Sequence, residues 1–295
     1  MNILLYISVV LIWGTTWIAI SMQQGGVAAE VSIFWRFLLS SLILLSFLAF
    51  TQRLRPLSRR ANQLCMLQGL CVFGINFICF YHAIAWISSG LESVIFSMAV
   101  LFNAFNSRLF FGQRLTRSVV IAAPLGFIGM VALFWHDLMN METQPHLLWG
   151  AGLCLLGTYG FSLGNMISSQ HQRQGRDVMT TNGWGMCYGA LWMGIFSLIQ
   201  GYDFTPEITT RYLGSLFYLA ICGSVIGFGA YFSLVGRIGA SQAAYATLLF
   251  PLIALSVSTI YEDYHWQPNA VIGLLLILAG NAVMFYRPRR MAPVK

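Results

Sequence analysis

The chain has 295 residues, is 58% hydrophobic and 15% aromatic, and carries charge at only 8% of its positions. With a mean hydropathy of +0.72, that composition excludes a soluble globular domain and indicates an all-α integral membrane protein. The formal net charge of +7 raises nucleic acid as a partner, but the cations sit at the ends of apolar runs rather than in one patch. Their distribution is that of a membrane topology signal, with the lipid bilayer as the surrounding partner and no nucleic acid.

Apolar runs recur along the chain at about 3–22, 31–50, 64–86, 91–111, 118–135, 147–168, 179–200, 212–235, 241–261 and 269–286. Each is roughly twenty residues, enough to cross a ~30 Å hydrocarbon layer as a helix. The expectation is therefore ten transmembrane helices joined by short connections. In the first, Trp13 and Trp17 share a face. The second contains Arg36, which either meets a carboxylate such as Glu92 or a substrate, or snorkels to headgroups as a structural residue.

Helix 3 carries Asn76, Tyr81 and His82, which point in three directions at helical pitch and cannot all line one cavity. His82 is either a proton relay or a hydrogen-bonded structural residue near the external end. In helix 4, Glu92 shares a face with Phe96, Ala99, Asn103 and Asn106. Lipid would leave that stripe unsatisfied, so it faces protein or water. Glu92 is either a coupling or binding carboxylate or a hydrated residue near a helix end.

Tyr159, Tyr231 and Tyr245 fall in helices 6, 8 and 9. With Tyr81 and the tryptophans they could form an aromatic cavity suited to an amphipathic solute. Pro251, in the middle of helix 9, frees the carbonyl of Thr247, which makes the pair a candidate hinge, a substrate contact, or a static kink. The G-x-x-x-G pairs Gly160/Gly164, Gly185/Gly189 and Gly223/Gly227 read as close helix packing. The six cysteines fall within helices and read as small apolar residues, with neither disulfides nor a metal site expected.

With a cytoplasmic N-terminus, one side of the membrane holds Arg53, Arg55, Arg59, Arg60, Arg108, Arg114, Arg117, Arg173, Arg176, Arg237, Arg287, Arg289, Arg290 and Lys295. The other holds Arg211 alone, which sets both termini in the cytoplasm. The stretch "YHAIAWISSGLESVIFSMAVLFNAF" aligns with "YFSLVGRIGASQAAYATLLFPLIAL" at an offset of 150 residues, pairing Tyr81 with Tyr231, Glu92 with Gln242 and Ser97 with Thr247. Two five-helix repeats follow, 1–138 and 146–290. Five is odd, so the second is inverted; hence "FFGQRLTR" ends one helix in arginines while "IYEDYHWQ" ends its counterpart in acids.

"FFGQRLT", "FWRFLLSSLILL", "LIWGTTWIAI" and "LLFPLIALSVSTIYED" together resemble the corresponding segments of EamA-type members of the drug/metabolite transporter superfamily. Gln113 departs from the usual glutamate, and Leu101 stands where the first repeat often has proline. The resemblance implies a small-metabolite or drug carrier, frequently an exporter, with a central cavity lined by helices 1, 3, 4, 6, 8 and 9.

The expected function is secondary transport, as an exporter of small amphipathic metabolites such as amino acids, from a bacterial inner membrane. No cofactor is implied, protons are a candidate coupling partner, and the assembly is a monomer or homodimer. Efflux of cationic drugs is the alternative. A multipass membrane enzyme is the rival class, but "HQRQGRD" has the wrong His–Asp spacing for an acyltransferase, and no H-E-x-x-H, G-x-S-x-G or P-loop accompanies it.

Overall fold

The computed structural model describes residues 2–114, 117–133, 135, 146–243, 246–263 and 266–283. Among these, regular structure is helical. We name α1 (Asn2–Ser21), α2 (Ala29–Phe50), α3 (Arg59–Ala83), α4 (Ser89–Phe111), α5 (Arg117–Leu133), α6 (Leu147–Arg173), α7 (Val178–Gln200), α8 (Thr210–Ile238), α9 (Ala246–Tyr261) and α10 (Pro268–Val283). Six (α1, α2, α3, α4, α6 and α8) are long and apolar enough to cross a membrane; Val120–Leu133, Leu249–Tyr261 and Pro268–Gly280 are shorter apolar stretches. Large apolar side chains such as Leu11, Phe47, Phe127, Leu198 and Ile260 are exposed, a surface suited to hydrocarbon rather than water. The expected junction between repeats, 139–145, and the basic C-terminal tail lie outside the described residues.

Local chemistry sets the helix ends. Side-chain oxygens of Ser58, Ser88, Asp177 and Thr209 accept from the backbone N–H groups of Ala61, Leu91, Thr180 and Tyr212, satisfying first-turn donors of α3, α4, α7 and α8. Gly112 and Gly201 end α4 and α7 at φ 65° and 71°, where a Cβ would be strained. Capping at Ser58 starts α3 ahead of the apolar run, so its first turn carries Arg59 and Arg60.

Three helices depart from plain α geometry. Gly69–Ile75 in α3 and Leu219–Ile226 in α8 are π-helical, and the second begins 150 residues after the first. Helix α4 breaks at Ser97 and Met98 although no proline is present. Conversely, α9 runs unbroken through Pro251. The expected opening at Thr247 is thus absorbed within a continuous helix, and Thr247 itself is buried.

The helices pair reciprocally: α2 packs on α7 and α5 on α10, α1 meets α9 as α4 meets α6, and α3 meets α6 as α8 meets α1. Glycines permit these approaches. A Cβ on Gly129 would lie 2.8 Å from the Gly273 carbonyl oxygen, and one on Gly223 would lie 2.9 Å from the Thr16 methyl. At the centre, Trp13 packs against Phe96, Phe161, Phe228, Tyr231 and Phe250, rings from α1, α4, α6, α8 and α9. The six cysteines are free; Cys65, Cys71, Cys79 and Cys154 are buried, whereas Cys187 and Cys222 are half-buried.

Candidate functional site

A small cavity lies among α1, α2, α3, α4 and α8. Helix α1 supplies Trp13, Thr16, Trp17 and Ile20, an i, i+3, i+4, i+7 face. Arg36 comes from α2, Asn76, Phe77 and Phe80 from α3, Phe96 from α4 and Phe228 from α8. All are buried, so the cavity is secluded. It is an aromatic chamber with one cation, one hydroxyl and one amide in its wall.

Each polar member is positioned differently. The indole N–H of Trp13 donates to the Gly223 carbonyl at 3.2 Å, inside the π-helical turn of α8. A π turn disturbs the usual i→i−4 ladder and leaves carbonyls for such partners. Thr16 turns its hydroxyl back on the Trp13 carbonyl at 3.0 Å. Arg36 donates from Nε to Ser224 Oγ at 3.0 Å and lies over the Phe77 ring at 4.3 Å.

Of the alternatives for Arg36, pairing with Glu92 is not formed. Glu92 is fully buried, yet neither of its carboxylate oxygens has a hydrogen-bond partner. It lies outside the cavity wall, on the part of α4 that packs against α1, α6 and α9. Arg36 lines the cavity and Glu92 does not, which a helix-by-helix reading could not resolve.

The other candidates scatter in informative ways. Tyr81 is buried, donating to Gln23 Oε1 at 2.6 Å while its carbonyl accepts from Gln24 Nε2 at 3.0 Å. His82 is half exposed, with Nε2 2.8 Å from Glu30 Oε1. Tyr159 is not in the chamber; it is half-buried with its ring against Phe102. Of Asn76, Tyr81 and His82, Asn76 alone is in the cavity wall.

A separate polar layer joins α4, α6 and α8. Asn165 Nδ2 donates to Asn103 Oδ1 at 3.2 Å and to the Tyr231 hydroxyl at 3.1 Å, and Asn106 Nδ2 donates to Ser162 Oγ at 2.9 Å. The stripe from Glu92 to Asn106 thus faces protein, as its polarity required. Tyr231 also meets Trp13 at 4.9 Å between ring centroids, which links this layer to the chamber. Tyr245 and the side chain of Gln242 lie outside the described residues.

Thr16, Ile20, Phe77, Phe80, Phe96 and Phe228 were not among the residues expected from sequence. The first two were legible as the helical companions of Trp13 and Trp17. Phe96 was legible only as a companion of Glu92 on its helix face, and for Phe77, Phe80 and Phe228 there was no local signal, because 22 phenylalanines are spread through the chain.

Comparison with known proteins gives a consistent result. The profile of the EamA-like transporter family matches residues 1–135 and 147–286. The chain is 24% identical to the uncharacterized transporter YoaV of Bacillus subtilis, covering 93% of each. It is 26% identical to a probable amino-acid metabolite efflux pump of Salmonella typhimurium, over 97% of this chain and 96% of that one. Similarity to the uncharacterized inner membrane transporter YedA of Escherichia coli is 26% over 84% of this chain and 79% of that protein. One crystal structure shares the fold with a TM-score of 0.70 at 16% identity, over 98% of this chain and 99% of its own.

Proposed function

The chain belongs to the EamA-like transporter family, and from that premise we propose that it is a secondary carrier exporting small amphipathic metabolites such as amino acids. The observation that carries this reading is the secluded aromatic chamber, built from α1 to α4 together with α8. A chamber whose lining is buried suits an occluded stage of alternating access, in which a site between two halves opens to either side in turn.

Ten spans in two inverted repeats, 1–138 and 146–290, are part of the proposal. The 150-residue spacing of the two π-helical turns and the reciprocal helix pairing support it. So does a family match in two stretches that break between 135 and 147. The arginine distribution favours both termini in the cytoplasm. A bacterial inner membrane is favoured by the relative named as an inner membrane transporter. Cysteines introduced at 57 and 175 should label only from the cytoplasm and those at 140 and 205 only from outside; opposite labelling of 57 and 175 would remove the inverted repeat.

Amino acids are favoured by the name of the efflux-pump relative and by a chamber offering apolar walls beside a few polar groups. The cationic alternative loses ground, because Arg36 is in the wall and Glu92 is not. The test is efflux from liposomes holding the purified protein and loaded with labelled amino acids or labelled cationic drugs. Release of unaltered solute above empty liposomes is expected. No flux of either class, or chemical conversion of the solute, would sink the carrier reading.

A further inference from the structure

Three polar atoms in the chamber's residues are buried and unmatched: Arg36 Nη1, Trp17 Nε1 and Asn76 Oδ1. Buried polar atoms are normally hydrogen-bonded, and leaving one unmade carries its desolvation cost. Two of these atoms are donors, one of them cationic, and the third is an acceptor.

Arg36 is the most anomalous of them. Its side chain is 1% exposed, and no carboxylate among the described residues pairs with it: the acid Glu30 is bound to His82. It is nevertheless fixed in place. Ser224 donates its own proton to the Leu219 carbonyl at 2.9 Å, which leaves its oxygen free to accept Arg36 Nε at 3.0 Å. That serine bond spans five residues within the π turn of α8, so the irregular backbone of α8 orients a side chain of α2. The ring of Phe77 at 4.3 Å and that of Phe37 at 5.2 Å hold the guanidinium plane. Tyr81 donates its hydroxyl proton to Gln23 and turns its oxygen to the guanidinium, so it partners one side of Arg36 while Nη1 stays unmatched. What remains is an oriented cation with one end unmatched beside an aromatic chamber.

We propose that Arg36, Trp17 and Asn76 form a head-group site for an amphipathic monocarboxylate that also bears an N–H donor, as a free amino acid does. The carboxylate accepts from Arg36 Nη1 and Trp17 Nε1, the N–H group donates to Asn76 Oδ1, and the apolar body lies against Phe80, Phe96 and Phe228. One guanidinium in a buried site matches a single negative charge, which favours a carboxylate over a dianionic phosphate. This site rests on the carrier reading and names the solute class for it. Sequence could suggest Arg36 as a carboxylate partner, but not that Trp17 and Asn76 meet it at one chamber.

The test uses detergent-purified full-length protein and ligand-induced shifts in thermal unfolding. One head-group series keeps an aromatic body (phenylalanine, phenylalaninamide, phenethylamine, 3-phenylpropanoate), and the other an aliphatic one (leucine, leucinamide, isopentylamine, 4-methylpentanoate). In at least one series the amino acid should bind tightest. Its amide and amine should be weaker by about tenfold or more, the scale of a lost hydrogen bond to a charged group. The des-amino acid should fall between them. Arg36→Gln should abolish the preference for the acid, and Trp17→Phe should weaken acid binding while sparing the amine. Should Arg36→Gln not fold, the wild-type series and Trp17→Phe still decide. Equal binding of acid and amide, or no response to any acid in either series, overturns the site. Liposome flux separates the two claims: cation efflux without acid binding sinks the head-group site alone, and no flux at all sinks the carrier.

Discussion

Glu262 ties the end of α9 to the start of α4, and its removal should be measurable. It follows the last residue of α9, and its Oε2 accepts from the backbone N–H of Ser89 at 3.1 Å, from Ser89 Oγ at 2.8 Å and from Ser258 Oγ at 2.6 Å. Ser89 opens α4, so the carboxylate that follows α9 satisfies a first-turn donor of α4. Its negative charge also lies at the favourable end of the α4 dipole. Hydrogen bonds to charged groups contribute about 1.5–3 kcal/mol each when buried. Glu262 is half-buried, which reduces that figure. We expect Glu262→Ala to cost about 2 kcal/mol in total and Glu262→Gln roughly half of that. A double-mutant cycle with Ser89→Ala, read by unfolding in mixed micelles, should give a coupling energy of about 1 kcal/mol. Asp263→Ala, at the exposed neighbouring position, is the control and should be nearly neutral. Additive behaviour of Ser89→Ala and Glu262→Ala, or a Glu262→Ala cost no larger than that of Asp263→Ala, would refute the clasp.

Other expectations concern the seam, the chamber and the buried acid. A Cβ on Gly273 would lie 2.5 Å from the Gly129 carbonyl oxygen and 2.6 Å from Leu133 Cα, so Gly273→Val should separate α5 from α10 and cost more than about 2 kcal/mol. Gly152→Val, with nothing within 4 Å of its Cβ, should be tolerated in the same unfolding assay. Trp13→Phe removes the donor to the Gly223 carbonyl while keeping a ring, so stability should fall by about 1 kcal/mol and solute flux should change; identical flux and stability would reduce Trp13 to a wall. Glu92→Gln keeps the side-chain shape and should fold normally; under the proposed repeat, the neutral Gln242 occupies the corresponding position. Its transport should lose the pH dependence of the wild type. Flux with an unchanged pH profile would make Glu92 a structural residue.

Hydropathy determined most of the architecture. The apolar runs near 3–22, 31–50 and 147–168 became α1, α2 and α6, because only a helix satisfies its own backbone inside hydrocarbon, and length then follows from composition. The face formed by Trp13 and Trp17 was equally legible, since helical pitch alone places them together. What pitch cannot supply is the rotation of one helix against another. That rotation put Arg36 against Ser224 rather than Glu92, sent Tyr159 out to Phe102, and left Glu92 without a partner. The two π-helical turns were also invisible, because no residue type marks the extra register that lets Leu219 and Gly223 receive Ser224 and Trp13. The acids of "IYEDYHWQ" read in sequence only as the sign expected of one membrane face, whereas packing gave Glu262 the N-terminus of α4 to bind. Apolar periodicity is a property of one segment and survives in sequence. A polar contact belongs to two segments and comes into being only when they dock.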